Sequence, residues 1–188
     1  LEIKKVGQEY PNSFINYDLV KFKAIWVINY TLLFLSILSF ANIKKFKNRN
    51  LGIINIGLNT LTIITFLIQG LYFLSELRES YLNQTLSEYY FRGSFNMWIR
   101  YISFIFIALM LISLQKYIRQ DFIKPISSNF KIAFDLLLYT SLVWIASSEL
   151  IAWMDILKFS QSYKLGLSIL WGTCALLLIV IGIWKKKK

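Results

Sequence analysis

Apolar residues in this chain gather into five long runs, and polar residues are confined to the gaps between them. The runs are Ala24 to Ile43, Leu51 to Leu77, Met97 to Leu114, Ile132 to Met154 and Leu165 to Trp184. An α-helix rises about 1.5 Å per residue, so about 20 apolar residues cross a hydrocarbon core of roughly 30 Å. Each run comes near that length, and the second exceeds it enough to tilt. The pattern predicts an all-α polytopic membrane helix bundle of about five transmembrane helices. Residues 1–23 form an extracytoplasmic segment in this scheme, and residues 185–188 form a cytoplasmic basic tail.

Both prolines, Pro11 and Pro125, fall outside the runs. Proline inside a span would break a hydrogen-bond ladder that lipid cannot replace. The gaps at 44–50, 78–96, 115–131 and 155–164 are short, which predicts antiparallel neighbours. The segment Ser75 to Phe95 places Tyr81, Leu82, Leu86, Tyr89, Tyr90 and Phe91 at loosely helical spacing. It fits an amphipathic helix lying on the membrane and a solvated loop equally well.

Composition strengthens the membrane class. The chain of 188 residues is 56% hydrophobic and 16% charged, with a mean hydropathy of +0.53. Soluble domains run nearer ~25% charged. The net charge of +11 sits in the gaps, where it serves topology and anionic lipid rather than nucleic acid. Membrane lipid is therefore an expected partner, and no nucleic acid is. The side holding the amino terminus carries eight Lys and Arg, the other side twelve in denser clusters, and Arg100 lies within a run. By the positive-inside rule the orientation is N-terminus out and C-terminus in. Trp26, Trp98 and Trp153 then mark the outer interface and Trp184 the inner one.

Candidate chemistry is sparse. The chain has no histidine and one cysteine, Cys174, which excludes His-based triads and leaves no His-ligated metal site. No cofactor and no metal are expected. The motif pattern has no glycine-rich phosphate loop, CxxC or HExxH. Ionisable groups within apolar runs are costly and so informative. Arg100 lies one turn into the third run, Glu149 near the end of the fourth, and Gln69 and Asn29 at similar depth in the second and first. These four are the candidate binding residues: an outward-opening polar pocket on one reading, a structural Arg100–Glu149 bridge on the other. Asp135 follows Lys131 by four residues, the spacing of a local pair. The polar residues of the second run, Asn55, Asn59, Thr60, Thr62, Thr65 and Gln69, are expected to face other helices.

The stretch Ala146 to Asp155, with Lys164 to Gly172, Gly182 to Lys188 and Trp98-Ile99-Arg100-Tyr101-Ile102, resembles the bacterial predicted membrane proteins known as domain of unknown function 2339. The resemblance covers residues 96–188 best. It implies a longer parent in a bacterial cytoplasmic (inner) membrane, whose flanking transmembrane segments, absent here, would be partners. It implies no activity. Three functions are carried forward: transport or handling of an envelope substrate, a structural or scaffolding membrane subunit, and a membrane-embedded transferase resting on Glu149.

Overall fold

A computed structural model describes residues 13–83, 94–120, 127–158 and 163–186. Among them every regular element is helical. We label α1 (Ser13–Ala41), α2 (Arg49–Thr65), α3 (Leu71–Asn83), α4 (Phe95–Ile118), α5 (Ser127–Ile156) and α6 (Tyr163–Lys186). A π-helical segment, Asn42–Phe46, extends α1, and a second, Phe66–Gly70, joins α2 to α3 without a break. Five rods result, all long and apolar enough to cross a membrane: 20–46, 49–83, 95–118, 131–156 and 163–184. Each overruns its apolar run by a few residues, because a helix continues into polar sequence until a cap or turn ends it. The predicted amphipathic segment divides. Ser75 to Asn83 continues the second rod, and residues 84–93 lie outside the described residues.

The chain forms two units, one up to Leu136 and one from Leu137. In the first, α1 packs on α2, α3 and α4, and α4 also packs on α2 and α3. The seam on α1 is Ile25, Asn29, Leu32, Ser36 and Ser39, all essentially inaccessible. Their spacing alternates four and three, the geometry that keeps one stripe facing a partner helix. Several are small or polar, which allows close backbone approach and bonding across the interface. Ile63, Phe66, Leu74 and Leu77 answer from the second rod, and Ile99, Ile107, Met110 and Tyr117 from α4.

The π segment corrects the second rod's register. Buried positions follow Ile56, Asn59, Ile63, Phe66 and Gly70, then jump four again to Leu74. The wide turn shifts the seam so that α3 still faces α1 and α4. Gly70 is required there, since a Cβ would stand 2.8 Å from Cδ2 of the buried Phe66 ring. Gly70→Ala is therefore expected to cost about 1–3 kcal/mol, the usual range for overpacking. Denaturant titration in detergent would read it, and adding Phe66→Leu should restore part of the loss. A neutral Gly70→Ala would show that the ring has room to move.

The α1–α2 turn is tied by side chains. Lys47 takes a left-handed conformation (φ 46) and its N–H donates to Asn42 O at 2.8 Å. Asn48 then caps α2, its Oδ1 accepting from the N–H groups of Asn50 and Leu51. Such a cap contributes about 1 kcal/mol.

In the second unit, α6 lies along the carboxy-terminal part of α5. The indole of Trp171 donates to Ser147 Oγ at 2.9 Å, and the hydroxyl of Tyr163 donates to Asp155. A Cβ on Gly166 would sit 3.1 Å from the sulfur of Met154. Most of α6 is exposed.

Candidate functional site

The four sequence-predicted site residues occupy different surroundings. Asn29 is on the α1 seam with no exposed surface, and neither atom of its amide has a hydrogen-bond partner among the described residues. Gln69, in the π segment, is exposed on the outer face of the first unit. Arg100 is buried at the start of α4, its guanidinium 5.3 Å from the centre of the Phe104 ring. Glu149 belongs to the second unit, where Oε1 accepts from the Trp153 indole at 2.9 Å, one turn on. Asn29 and Gln69 thus face core and surface respectively. Lys131 and Asp135 form no ion pair; an exposed pair of this kind contributes about 0.3–0.5 kcal/mol, too little to fix two side chains.

The polar residues of the second rod also separate by face. Asn55 and Asn59 are on the seam, each Nδ2 donating to Ser39 Oγ, at 2.7 and 3.0 Å. The Ser39 hydroxyl spends its one proton on Leu35 O. Both amides must therefore present their NH2 groups to it, which turns their oxygens away. Further along, Asn42 Nδ2 donates to Asn48 O and to the hydroxyl of the buried Tyr117. Thr62, Thr65 and Gln69 follow another stripe, on the outside.

That outer stripe lines a groove of about 580 Å³ between α1 and the second rod. Val20, Ala24, Val27 and Ile28 form one wall, and Leu61, Thr65 and Phe73 the other. Such a volume is typical of small-molecule sites. Thr31, Thr62 and Thr65 each donate their hydroxyl to a carbonyl of their own helix, four residues back. No hydroxyl proton is left for a ligand. Lys23 and Gln69 also line the groove. Because α1 and the second rod are antiparallel, both stand at the end shared with Val20 and Phe73. Two residues before Lys23, Lys21 faces inward. Its ammonium meets Glu76 Oε2 at 2.5 Å and lies 5.2 Å from the Tyr72 ring centre, with the two charged side chains 7% and 27% exposed.

Sequence reading missed the Lys21–Glu76 pair, the Asn42–Tyr117 link and the place of Lys23 on the groove. A signal for the first was present. In an antiparallel hairpin the start of one rod meets the end of the next, so opposite charges at residues 21 and 76 were at matching depth.

Fold and site together define a chain whose described residues are all-helical, with five helices among them long and apolar enough to span a membrane, and an apolar external groove with a cation toward one end. No family model, curated protein or solved structure matches it.

Proposed function

We propose that the chain is a multi-pass protein of the bacterial cytoplasmic membrane, amino terminus out and carboxy terminus in, that handles an amphiphilic envelope substrate. The observation that supports this reading is the groove between α1 and the second rod. It opens on the outside of the helix bundle, where Val27 and Leu61 are 58% and 61% exposed, and the lysine and the amide that line it, Lys23 and Gln69, stand toward one end. A substrate that is part hydrocarbon and part polar can enter such a site sideways from the bilayer.

A photoreactive benzoylphenylalanine at Leu61, activated in intact cells, tests the function. The expected product is the chain joined to a small lipid-soluble molecule. Capture of a neighbouring protein instead would replace this reading with the scaffolding one. Orientation is tested separately in a Cys174→Ala background. Cysteines at Ser94 and Lys158 should react with an impermeant maleimide in whole cells, and cysteines at Lys45 and Arg119 should react only after lysis. The opposite labelling pattern would invert the topology.

A further inference from the structure

We infer that the groove holds one acyl chain of an anionic phospholipid, with Lys23 and Gln69 at its mouth engaging the phosphate. This deepens the substrate-handling reading and rests on it.

Three properties of the groove select this ligand. The first is its wall. With the hydroxyls of Thr31, Thr62 and Thr65 turned back to Val27, Leu58 and Leu61 carbonyls at 2.8, 2.8 and 3.0 Å, the long part of the groove offers no hydroxyl donor. A sugar bound there would find only the threonine oxygens, as acceptors, and would recover few of the hydrogen bonds it makes to water, a cost hydrocarbon does not face.

The second is length. From Val20 to Thr31 the α1 wall advances about 16 Å. That is half of a hydrocarbon core of roughly 30 Å, the depth of one leaflet. Under the amino-terminus-out orientation it is the outer leaflet. Spread over that length, about 580 Å³ is room for a single chain of methylenes.

The third is charge. Lys23 is exposed, and no ion pair or hydrogen bond engages it among the described residues. Among the described residues no acidic side chain lines the groove. Lys21, by contrast, is committed to Glu76. The flexible stem of Lys23 can lie along the wall while its ammonium reaches headgroup level. The Gln69 amide, carried by the π segment beside it, supplies a neutral donor.

Native mass spectrometry of the purified full chain tests the inference, with phosphatidylglycerol and phosphatidylcholine of identical acyl chains as probes. Wild type should retain one phosphatidylglycerol about fivefold more tightly than phosphatidylcholine, the preference expected from one lysine near a phosphate. Lys23→Gln should abolish the preference and leave chain binding intact. Val27→Trp should fill the groove and release both lipids, and because Val27 is exposed the substitution spares the core, as circular dichroism can check. Millimolar inorganic phosphate should not displace the lipid. Equal retention of the two lipids by wild type, an unchanged preference in Lys23→Gln, or displacement by free phosphate would overturn the anionic-lipid assignment while leaving the groove as a substrate path. Undiminished binding of both lipids to folded Val27→Trp would remove the groove reading altogether.

Discussion

Glu76→Leu should destabilise the first unit by about 3 kcal/mol or more, the penalty typical of stripping one partner from a buried ion pair. Lys21→Met should cost less. The asymmetry comes from burial. Lys21 is 7% exposed at its side chain and Glu76 is 27% exposed, so removing the carboxylate takes the close acidic partner from an ammonium with little access to water. Removing the ammonium leaves a carboxylate that can still reach solvent. The Tyr72 ring, 5.2 Å from Nζ, offsets a small part of the first loss, since such contacts contribute about 0.5–2 kcal/mol. The double variant Lys21→Met/Glu76→Leu should return to within about 1 kcal/mol of wild type, because apolar residues of similar volume replace a buried pair at little net cost. Denaturant titration of all four proteins in one detergent completes the cycle. Equal losses for the two single variants, with additivity in the double, would mean that the charges act independently.

The five rods were legible in the sequence because their signal is a simple one, apolar length. Which residues face inward was much less so. A helix that is apolar on every side carries little amphipathic signal to orient it, and the useful clue is the stripe of small and polar residues at alternating spacings of three and four. Asn29, Ser36 and Ser39 form that stripe on α1. In the second rod Asn55 and Asn59 obey it and Gln69 does not. The π segment Phe66–Gly70 intervenes, and an extra residue in a turn rotates everything beyond it. A four-residue pocket drawn from equal depth alone therefore assigned Asn29 and Gln69 to one lining, although depth says nothing of azimuth. The threonines misled for a related reason. Their hydroxyls appear polar in a one-letter string, but each is satisfied within its own helix, leaving them free to line an apolar surface.

The same seam sets the second large effect, at Asn42. Its side chain, with no exposed surface, joins three groups in two other segments. Nδ2 donates to Asn48 O at 3.0 Å and to the Tyr117 hydroxyl, and Oδ1 accepts from Asn48 N–H at 3.0 Å. The paired contacts to Asn48 close the α1–α2 turn over the left-handed Lys47, and the third fastens that turn to α4. Asn42→Leu fills the same space but removes all three, leaving polar groups in or near the core with the desolvation cost of about 1–3 kcal/mol for each one buried. Water reaches Asn48, which is exposed, and recovers part of that sum. The expected net loss is about 2–4 kcal/mol, read as a lower unfolding midpoint in detergent. Asn42→Asp keeps the acceptor for Asn48 N–H and loses the bond donated to Asn48 O, while the Tyr117 hydroxyl can turn to donate to the new carboxylate. Tyr117→Phe removes the hydroxyl's bonds with Asn42 and Asn55 but leaves the paired contacts of Asn42 with Asn48 in place, and should cost less than Asn42→Leu. If Tyr117→Phe proved as damaging as Asn42→Leu, the link to α4 rather than closure of the turn would be what holds this end of the bundle.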